Sequence, residues 1–187
     1  MNIVKPSAEC IDEINQQEVL KKIERCGRVC YQSEPREDTA EKFVRMLIKR
    51  GHESVLEHVS LTFHIICDRA IMAELTRHRL ASFSVESTRY VKYDAGLKII
   101  DNPVAPLANV IQTLYNNARH ANYPPEIARA VLPLCLKTEL YMTANLREWR
   151  HILKLRTAKA AHPQMREVAN QMLAVFKEKL PVIVEDI

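Results

Sequence analysis

One short stretch of the chain concentrates groups that can bind an anion. Three arginines and a histidine fall between residues 77 and 89, with serine hydroxyls among them. Guanidinium groups form forked, charge-assisted hydrogen bonds with phosphate oxygens, and hydroxyls and loop amides can fill the remaining acceptor positions. The residues concerned are Arg77, His78, Arg79, Ser82, Ser84, Ser87 and Arg89, with Ser54 earlier in the chain. This composition favours a phosphate-binding loop, but a solvated basic loop or a nucleic-acid patch would have the same composition.

A second candidate is Arg156, at the end of a predicted helix over residues 146–156. The predicted apolar face carries Leu146, Trp149, Ile152 and Leu153, and the predicted polar face carries Arg147, Arg150, His151 and Lys154. At about 100° per residue, Arg156 falls near the middle of the apolar face. A guanidinium in that place needs a partner, which could be a bound ligand or an acidic neighbour in an internal ion pair.

The cysteines and glycines exclude several common kinds of site. The five cysteines are an odd number and form no CxxC pair, which disfavours a disulfide framework and a tetrahedral zinc site, so we expect no metal. Cys67 and Cys135 are candidate nucleophiles, but neither has an adjacent activating motif and both are predicted to be core residues. The three glycines are too far apart to build a GxGxxG turn or a Walker loop.

The elements that position these groups follow from hydrophobic spacing. Helical spacing predicts helices over residues 16–30, 39–50, 69–77, 105–120, 124–136, 146–156 and 163–180. Residues 59–67 alternate and predict a half-buried strand with His64 on its polar face, and short strands are expected near residues 1–10, 92–100 and 139–144. The basic stretch itself is predicted to be a loop that follows a helix.

Two helix ends matter for the candidate site. Asp38 and Glu41 are spaced as a capping pair at the start of the helix over 39–50, and Pro181 is placed to stop the last helix. Gly51 is placed to end the helix over 39–50, so His52 should lie just beyond a helix terminus. His52 thereby becomes a further candidate.

Length and composition favour one domain. With 187 residues, a hydrophobic fraction of 47% and a net charge of +4, the chain can bury one core. We expect an α+β fold in which helices pack around a small, mainly antiparallel sheet, with a single domain over 1–187. The first residues lack the pattern of a secretory signal and no apolar run could cross a bilayer, so a cytoplasmic location is predicted.

The stretch RHRLASFSVESTRY, from Arg77 to Tyr90, closely resembles the signature of flavin-dependent thymidylate synthases. Its most specific part is RHR followed by seven residues and then Ser87. Further segments that resemble the family recur in order, and together they cover most of residues 50–181. These segments are GHESVLEH at 51–58, ARAVLPL at 128–134, NLREWRHILKLR at 145–156 and FKEKLP at 176–181.

The resemblance implies an activity and an assembly. It implies reductive methylation of dUMP to dTMP, with methylenetetrahydrofolate as the one-carbon donor and NADPH-reduced FAD as the hydride source. It also implies a homotetramer in which several subunits build each active site, and it implies neither a nucleic-acid nor a membrane partner. The flavin, and not a side chain, would then carry the redox chemistry.

The resemblance also implies roles for individual residues. The FAD set would be Ser54, Arg77, His78, Arg79, Asn145, Arg147 and His151. The dUMP set would be Glu74, Arg77, Val85, Glu86, Ser87, Thr88, Arg89, Arg129 and Arg156. Arg156 would be catalytic, because a cation beside the uracil ring stabilises negative charge as N3 ionises. His52 would help to position flavin or folate.

The chain departs from the commonest family pattern at a few positions, and these keep two rivals open. Glu74 stands where glutamine is frequent, Val85 where a polar residue is frequent, His151 where asparagine is frequent, and Ala160 where a flavin-contacting histidine can occur. The interval from Arg89 to Arg129 is also short. The rival hypotheses are a related flavoenzyme that acts on another pyrimidine nucleotide and a non-catalytic basic module that binds nucleotides or nucleic acid.

Overall fold

The helices and strands of the protein follow the predicted order closely. The computed structural model describes residues 2–30, 32–35, 38–103 and 105–187. The helices are α1 (Gln16–Val29), α2 (Ala40–Lys49), α3 (Arg69–Leu75), α4 (Ala108–His120), α5 (Pro125–Ala128), α6 (Leu146–Arg156), α7 (Pro163–Lys179) and α8 (Pro181–Val184). The strands are β1 (Asn2–Val4), β2 (Ser7–Cys10), β3 (Ser60–Asp68), β4 (Ala81–Val85), β5 (Lys98–Ile100) and β6 (Lys137–Asn145). Short 3-10 helices occupy Glu53–His58, Ala105–Leu107 and Arg129–Val131.

The described strands form two small sheets. Strand β1 pairs in parallel with β5, with Ile3 opposite Ile99. The second sheet has the order β2-β3-β6-β4, so β3 and β6 are its central strands. The prediction of a mixed fold with helices and a small, mainly antiparallel sheet is confirmed, while the tetramer and the single domain remain predictions.

By internal packing the chain divides into two compact units, each with its own core. The first unit comprises Met1–Ser7, Ile65–His78 and Phe83–Tyr141, and the second comprises Ala8–His64, Arg79–Ser82 and Met142–Ile187. In the first unit Tyr93 packs edge-on against Tyr115, with ring centroids 5.9 Å apart. In the second unit the ring centroids of Phe63 and Trp149 lie 4.9 Å apart. The indole N–H of Trp149 donates to the carbonyl of Leu61.

Helices α1 and α2 are held together by a polar cluster and by one glycine. Thr39, which precedes α2, donates its hydroxyl to the Glu24 carboxylate at 2.6 Å, and Arg28 contacts the same oxygen at 2.7 Å. The predicted capping pair of Asp38 and Glu41 is therefore wrong. Thr39 is the N-cap of α2, and its hydroxyl donates to Glu24 of α1 instead of accepting a backbone N–H of α2.

Gly27 lies where α1 passes α2. A Cβ atom at Gly27 would come within 2.8 Å of the Phe43 ring, so a larger residue there would force the Phe43 side chain to shift.

Two predicted elements differ from the structure, and one predicted helix end carries a further short helix. Residues 81–85 form a strand, β4, where a loop was predicted. The predicted helix over 124–136 ends early: α5 stops at Ala128 and a 3-10 turn follows to Val131, because Pro133 cannot continue a helix. Pro181 follows the end of α7, as predicted, but it also begins the short helix α8.

Among the described residues we find no helix that combines the length and the apolarity needed to cross a membrane.

Candidate functional site

The first turn of α6 borders a cavity in the second unit. Asn145 is the N-cap of α6, and its side-chain oxygen accepts the Glu148 N–H at 2.9 Å. This cap directs the following polar side chains into a cavity of about 570 Å³. The cavity is lined by Glu53, Glu57, Leu80, Asn145, Arg147, Glu148, Arg150, His151 and Lys154. Three residues of the predicted FAD set, Asn145, Arg147 and His151, thus share one cavity.

The charge of Arg147 is balanced by an exposed carboxylate. Its Nη1 atom lies 2.6 Å from Oε1 of Glu57, and both side chains are about half exposed. The hydrogen bond with Glu57 raises the pKa of Arg147 above its ordinary value. Because ion pairs in water contribute little to stability, a bound anion can exchange with Glu57 at small cost.

Arg150 is buried, although helical spacing placed it on the polar face of α6. It is 1% exposed, and its guanidinium contacts Glu53 at 3.0 Å and Asp186 at 2.7 Å, with a further hydrogen bond to the Ile183 carbonyl. Burial acts to lower the pKa of Arg150, but the hydrogen bonds with Asp186 and Glu53 outweigh burial and raise it. The fully buried arginine of α6 is therefore Arg150, whereas Arg156, in the last turn, is half-buried.

Glu148 is a buried carboxyl on the wall of the same cavity. It is 8% exposed, and burial raises its pKa, while the charge of His151 one turn along α6 acts in the opposite direction. A carboxyl with a raised pKa exchanges protons closer to neutrality than a solvated one. This wall of the cavity therefore carries a buried carboxyl, Glu148, next to the exposed side chain of His151.

A second cavity in the same unit is lined by two further candidates, His52 and Ser54. It measures about 470 Å³ and is lined by Gly27, Cys30, Leu47, Gly51, His52, Glu53, Ser54, Val55 and Arg147. Gly51 has φ +72° and ends α2 as predicted, with the His52 N–H bonded to the Leu47 carbonyl at 2.9 Å. This turn brings His52 and Ser54, both exposed, into one cavity with Arg147, which lines both cavities.

In the first unit, helix α3 positions the start of the basic stretch. Asp68 caps the helix by accepting the Ile71 N–H at 2.7 Å. Glu74 is half-buried in the last turn, Arg77 is exposed in the turn that follows, and His78 is buried, 6% exposed. In the second unit, Arg79 is exposed just before β4.

Glu86 is held by two side chains of the first unit. Its carboxylate accepts a hydrogen bond from the Tyr93 hydroxyl at 2.8 Å and one from Lys137 Nζ at 2.9 Å. Burial raises the pKa of Tyr93, and the hydrogen bond to Glu86 raises it further. Val85, the preceding residue, is half-buried at the end of β4.

A tight turn follows Glu86. The Ser87 hydroxyl accepts the Arg89 N–H at 3.2 Å, while Arg89 itself is exposed. Thr88 is 6% exposed, and its hydroxyl accepts a hydrogen bond from Arg129 at 3.4 Å. The structure thus brings Thr88 and Arg129, both of the predicted dUMP set, together.

The cysteines show no sign of an activated nucleophile in the part of the chain that the structure describes. Burial raises the pKa of Cys67 to about 12, and burial also raises the pKa of Cys135. A nucleophilic thiol needs the opposite shift, towards the thiolate at neutral pH. The prediction of a core position is met by Cys67, which is fully buried, whereas Cys135 is half-buried.

Sequence analysis missed six residues that line the cavity bordered by α6, namely Glu53, Glu57, Leu80, Glu148, Arg150 and Lys154. Lys154 lies one turn after Arg150 and His151, so helical spacing from the motif could have included it. Glu57 and Leu80 come from distant parts of the chain, and no spacing rule connects them with α6.

Comparisons with known proteins agree on one family. The family model described as thymidylate synthase complementing protein matches residues 12–182. A probable flavin-dependent thymidylate synthase of Mycobacterium phage L5 is 34% identical over 191 residues, covering 88% of this chain and 79% of the relative. A flavin-dependent thymidylate synthase of Thermococcus onnurineus is 35% identical over 177 residues, covering 82% of this chain and 71% of the relative.

A solved structure shares the fold. The UMP/dUMP methylase PolB from Streptomyces cacaoi, bound with 5-Br dUMP, superposes with a TM-score of 0.82 at 25% identity, covering 99% of this chain and 96% of the other. Together with the family match over most of the chain, this likeness identifies the protein as a member of the flavin-dependent thymidylate synthase family, an enzyme family of methyltransferases.

Proposed function

We propose that the protein methylates dUMP to dTMP, with methylenetetrahydrofolate as the one-carbon donor and NADPH-reduced FAD as the hydride source. The observation that carries the proposal is the cavity of about 570 Å³ that gathers Asn145, Arg147 and His151, because all three belong to the segment NLREWRHILKLR. Its size falls within the range of about 300–1,000 Å³ that is usual for ligand sites.

The chemistry of this cavity suits part of a dinucleotide. Arg147 and His151 offer exposed donors for phosphate oxygens, and Leu80, 75% exposed, offers an apolar surface to a ring. When bound and reduced, FAD would supply the hydride that completes the methyl group. Arg147 would hold the cofactor by exchanging Glu57 for a phosphate oxygen.

The nucleotide would bind with residues of the basic stretch. Arg77 and Arg129 would meet the dUMP phosphate, and the turn from Ser87 to Arg89 would supply backbone amides and a hydroxyl. Arg156 would stabilise the negative charge that develops on the uracil ring, since a fixed cation needs no solvent reorganisation during the reaction. His52 and Ser54, on the second cavity, would position flavin or folate. We further propose that a homotetramer assembles these groups.

A second candidate substrate has specific support. PolB, which shares the fold, is a methylase of both UMP and dUMP, and this chain carries Glu74 and Val85 where the family pattern usually differs. UMP is therefore the first alternative nucleotide to test, followed by dCMP.

The test follows the visible spectrum of the purified protein with added FAD, and then the products. We expect FAD to bind, to bleach anaerobically after NADPH, and to bleach faster when dUMP is present. Addition of methylenetetrahydrofolate should then give dTMP. Turnover of UMP or dCMP without turnover of dUMP would show that the converted nucleotide, and not dUMP, is the substrate. A protein that stays colourless with excess FAD and binds nucleic acid in a salt-sensitive way would support the non-catalytic rival.

A further inference from the structure

Glu86 lies within the segment proposed to bind the nucleotide, yet its carboxylate is already engaged. The side chain is 12% exposed. One carboxylate oxygen accepts from the Tyr93 hydroxyl and the other accepts from Lys137 Nζ, at 2.8 and 2.9 Å. Both oxygens of the Glu86 carboxylate are thus occupied by hydrogen bonds from Lys137 and Tyr93.

Lys137 is built into this position. It is 12% exposed at the start of β6, and it also contacts Glu139 at 3.1 Å. Burial acts to lower the pKa of Lys137, but hydrogen bonds with Glu86 and Glu139 outweigh burial and raise it. Lys137 therefore remains a cation across the physiological pH range.

The backbone of Glu86 is hydrogen-bonded to β6, the strand that carries Lys137. Its N–H donates to the Glu139 carbonyl at 2.9 Å, which continues the pairing of β4 with β6. The chain then turns, with the N–H groups of Tyr90 and Val91 both bonded to the Ser87 carbonyl. Tyr93 follows this turn, so its hydrogen bond to Glu86 closes the loop formed by residues 87–92.

We propose that Lys137 and Tyr93 are positioning residues for nucleotide binding, because they hold Glu86 and so fix the turn from Ser87 to Arg89. This inference rests on the proposed function. It replaces the direct contact between Glu86 and dUMP that the family resemblance implies. Glu86 acts through the loop that it closes.

The consequence of a loosened turn is specific to the nucleotide. Thr88 is the buried residue of the turn, and Arg129 contacts its hydroxyl. A displaced turn would move Thr88, and Arg129 would lose a contact that orients it. The affinity for dUMP should therefore fall, while the residues proposed to bind flavin on α6 are untouched.

The test is a double-mutant cycle on dUMP affinity, measured by titration calorimetry of the FAD-loaded protein. Lys137→Met and Glu86→Gln should each raise the Kd for dUMP by about tenfold. The double variant should bind dUMP no more weakly than either single variant, since both substitutions remove the same ion pair between Glu86 and Lys137. The flavin spectrum should not change. Lys98→Met, an exposed lysine on β5, is the matched control and should bind dUMP like the wild type.

Other outcomes are equally informative. If Glu86→Gln weakens dUMP binding while Lys137→Met does not, or if the two losses add, Glu86 contacts the nucleotide directly and the inference is wrong. If Lys137→Met does not fold, Lys137→Arg and Tyr93→Phe replace it: the first should retain most of the affinity, and the second should lose part of it. Equal affinity in Tyr93→Phe and wild type would then overturn the role of Tyr93. A wild type that binds no dUMP overturns the proposed function and this inference together, whereas normal wild-type binding with unchanged variants overturns the inference alone.

Discussion

At the scale of single residues, the exposed pair of Arg147 and Glu57 offers a direct test of flavin binding. Glu57 competes with a phosphate for the same guanidinium, so Glu57→Gln should tighten FAD binding by about threefold, because an exposed ion pair is weak. Arg147→Ala should weaken binding by more than that. Fluorescence titration of FAD measures both constants. Equal affinities in all three proteins would remove Arg147 from the flavin site.

Arg156 has a different expected effect. If its partner is the uracil ring, Arg156→Ala should lower kcat by about a hundredfold or more and leave flavin bound, as the loss of one charge-stabilising group does elsewhere. The measurements are dTMP formation and the absorbance of retained flavin after gel filtration. Loss of flavin with unchanged turnover for each remaining site would contradict the catalytic role.

The two arginines also show what sequence can tell about a side chain. Periodicity placed Arg156 on the apolar face and Arg150 on the polar face, but Arg150 is the buried one. Its carboxylate partners, Glu53 and Asp186, lie 97 and 36 residues away in the chain, and such partners decide which charge can be buried. The motif identified Asn145, Arg147 and His151, whereas the pairing of Arg147 with Glu57, 90 residues away, has no sequence signal.

At the scale of elements, Arg150 joins α6 to the 3-10 helix at Glu53–His58 and to the residues after α8. Arg150→Ala would leave Glu53 and Asp186 without their buried partner. We expect the free energy of unfolding to fall by about 2 kcal/mol, less than the roughly 3–5 kcal/mol for breaking a fully buried pair, because Glu53 and Asp186 are partly exposed. Urea unfolding followed by circular dichroism measures this change. Arg166→Ala, on α7, is the control and should change stability much less, because Arg166 is only half-buried.

The same contacts predict how stability depends on pH. The hydrogen bond with Arg150 lowers the pKa of Asp186, burial opposes that shift, and Lys154 adds to it. A carboxyl whose pKa is lower in the folded state binds a proton more readily when unfolded, so its stabilising effect is present above the unfolded pKa, about 3.9, and is lost at lower pH. Between pH 5 and 3, roughly the range around that pKa, the wild type should therefore lose more stability than Asp186→Asn.

A matched control separates this effect from general acid denaturation. Glu178→Gln replaces an exposed acid on α7 and should keep the wild-type pH dependence. A steeper loss in Asp186→Asn than in wild type would contradict the assigned direction of the pKa shift.

The elements themselves were largely predictable, and the exceptions have physical reasons. Helices α1, α2, α6 and α7 bury one stripe each, so spacing alone reveals them. Strand β4 also alternates, with Ser82 and Ser84 exposed and Phe83 between them half-buried, but a search for helical spacing does not detect this pattern. The helix predicted over 124–136 is longer than the observed one, because the predicted range includes Pro133, which cannot continue a helix.

At the scale of the whole molecule, the predicted sharing of active sites between subunits can be tested without a structure of the assembly. Sedimentation should give about four times the chain mass of 21.6 kDa. If Arg129 and Arg147 of one site come from different subunits, mixing Arg129→Ala and Arg147→Ala chains should raise the activity above that of either variant alone, because about a quarter of the sites in random hybrids have both residues intact. No recovery after verified subunit exchange would assign both residues to the same subunit.

The close approach at Gly27 has a consequence for the history of the sequence. Since a methyl group there would meet the Phe43 ring at 2.8 Å, a larger residue at position 27 requires the side chain at position 43 to shift or to become smaller. Gly27 also lines the cavity that holds His52 and Ser54, so a larger residue at position 27 would reduce the volume of that cavity. Among relatives, a larger residue at position 27 should be accompanied by a smaller one at position 43, so the two positions should covary in a sequence alignment.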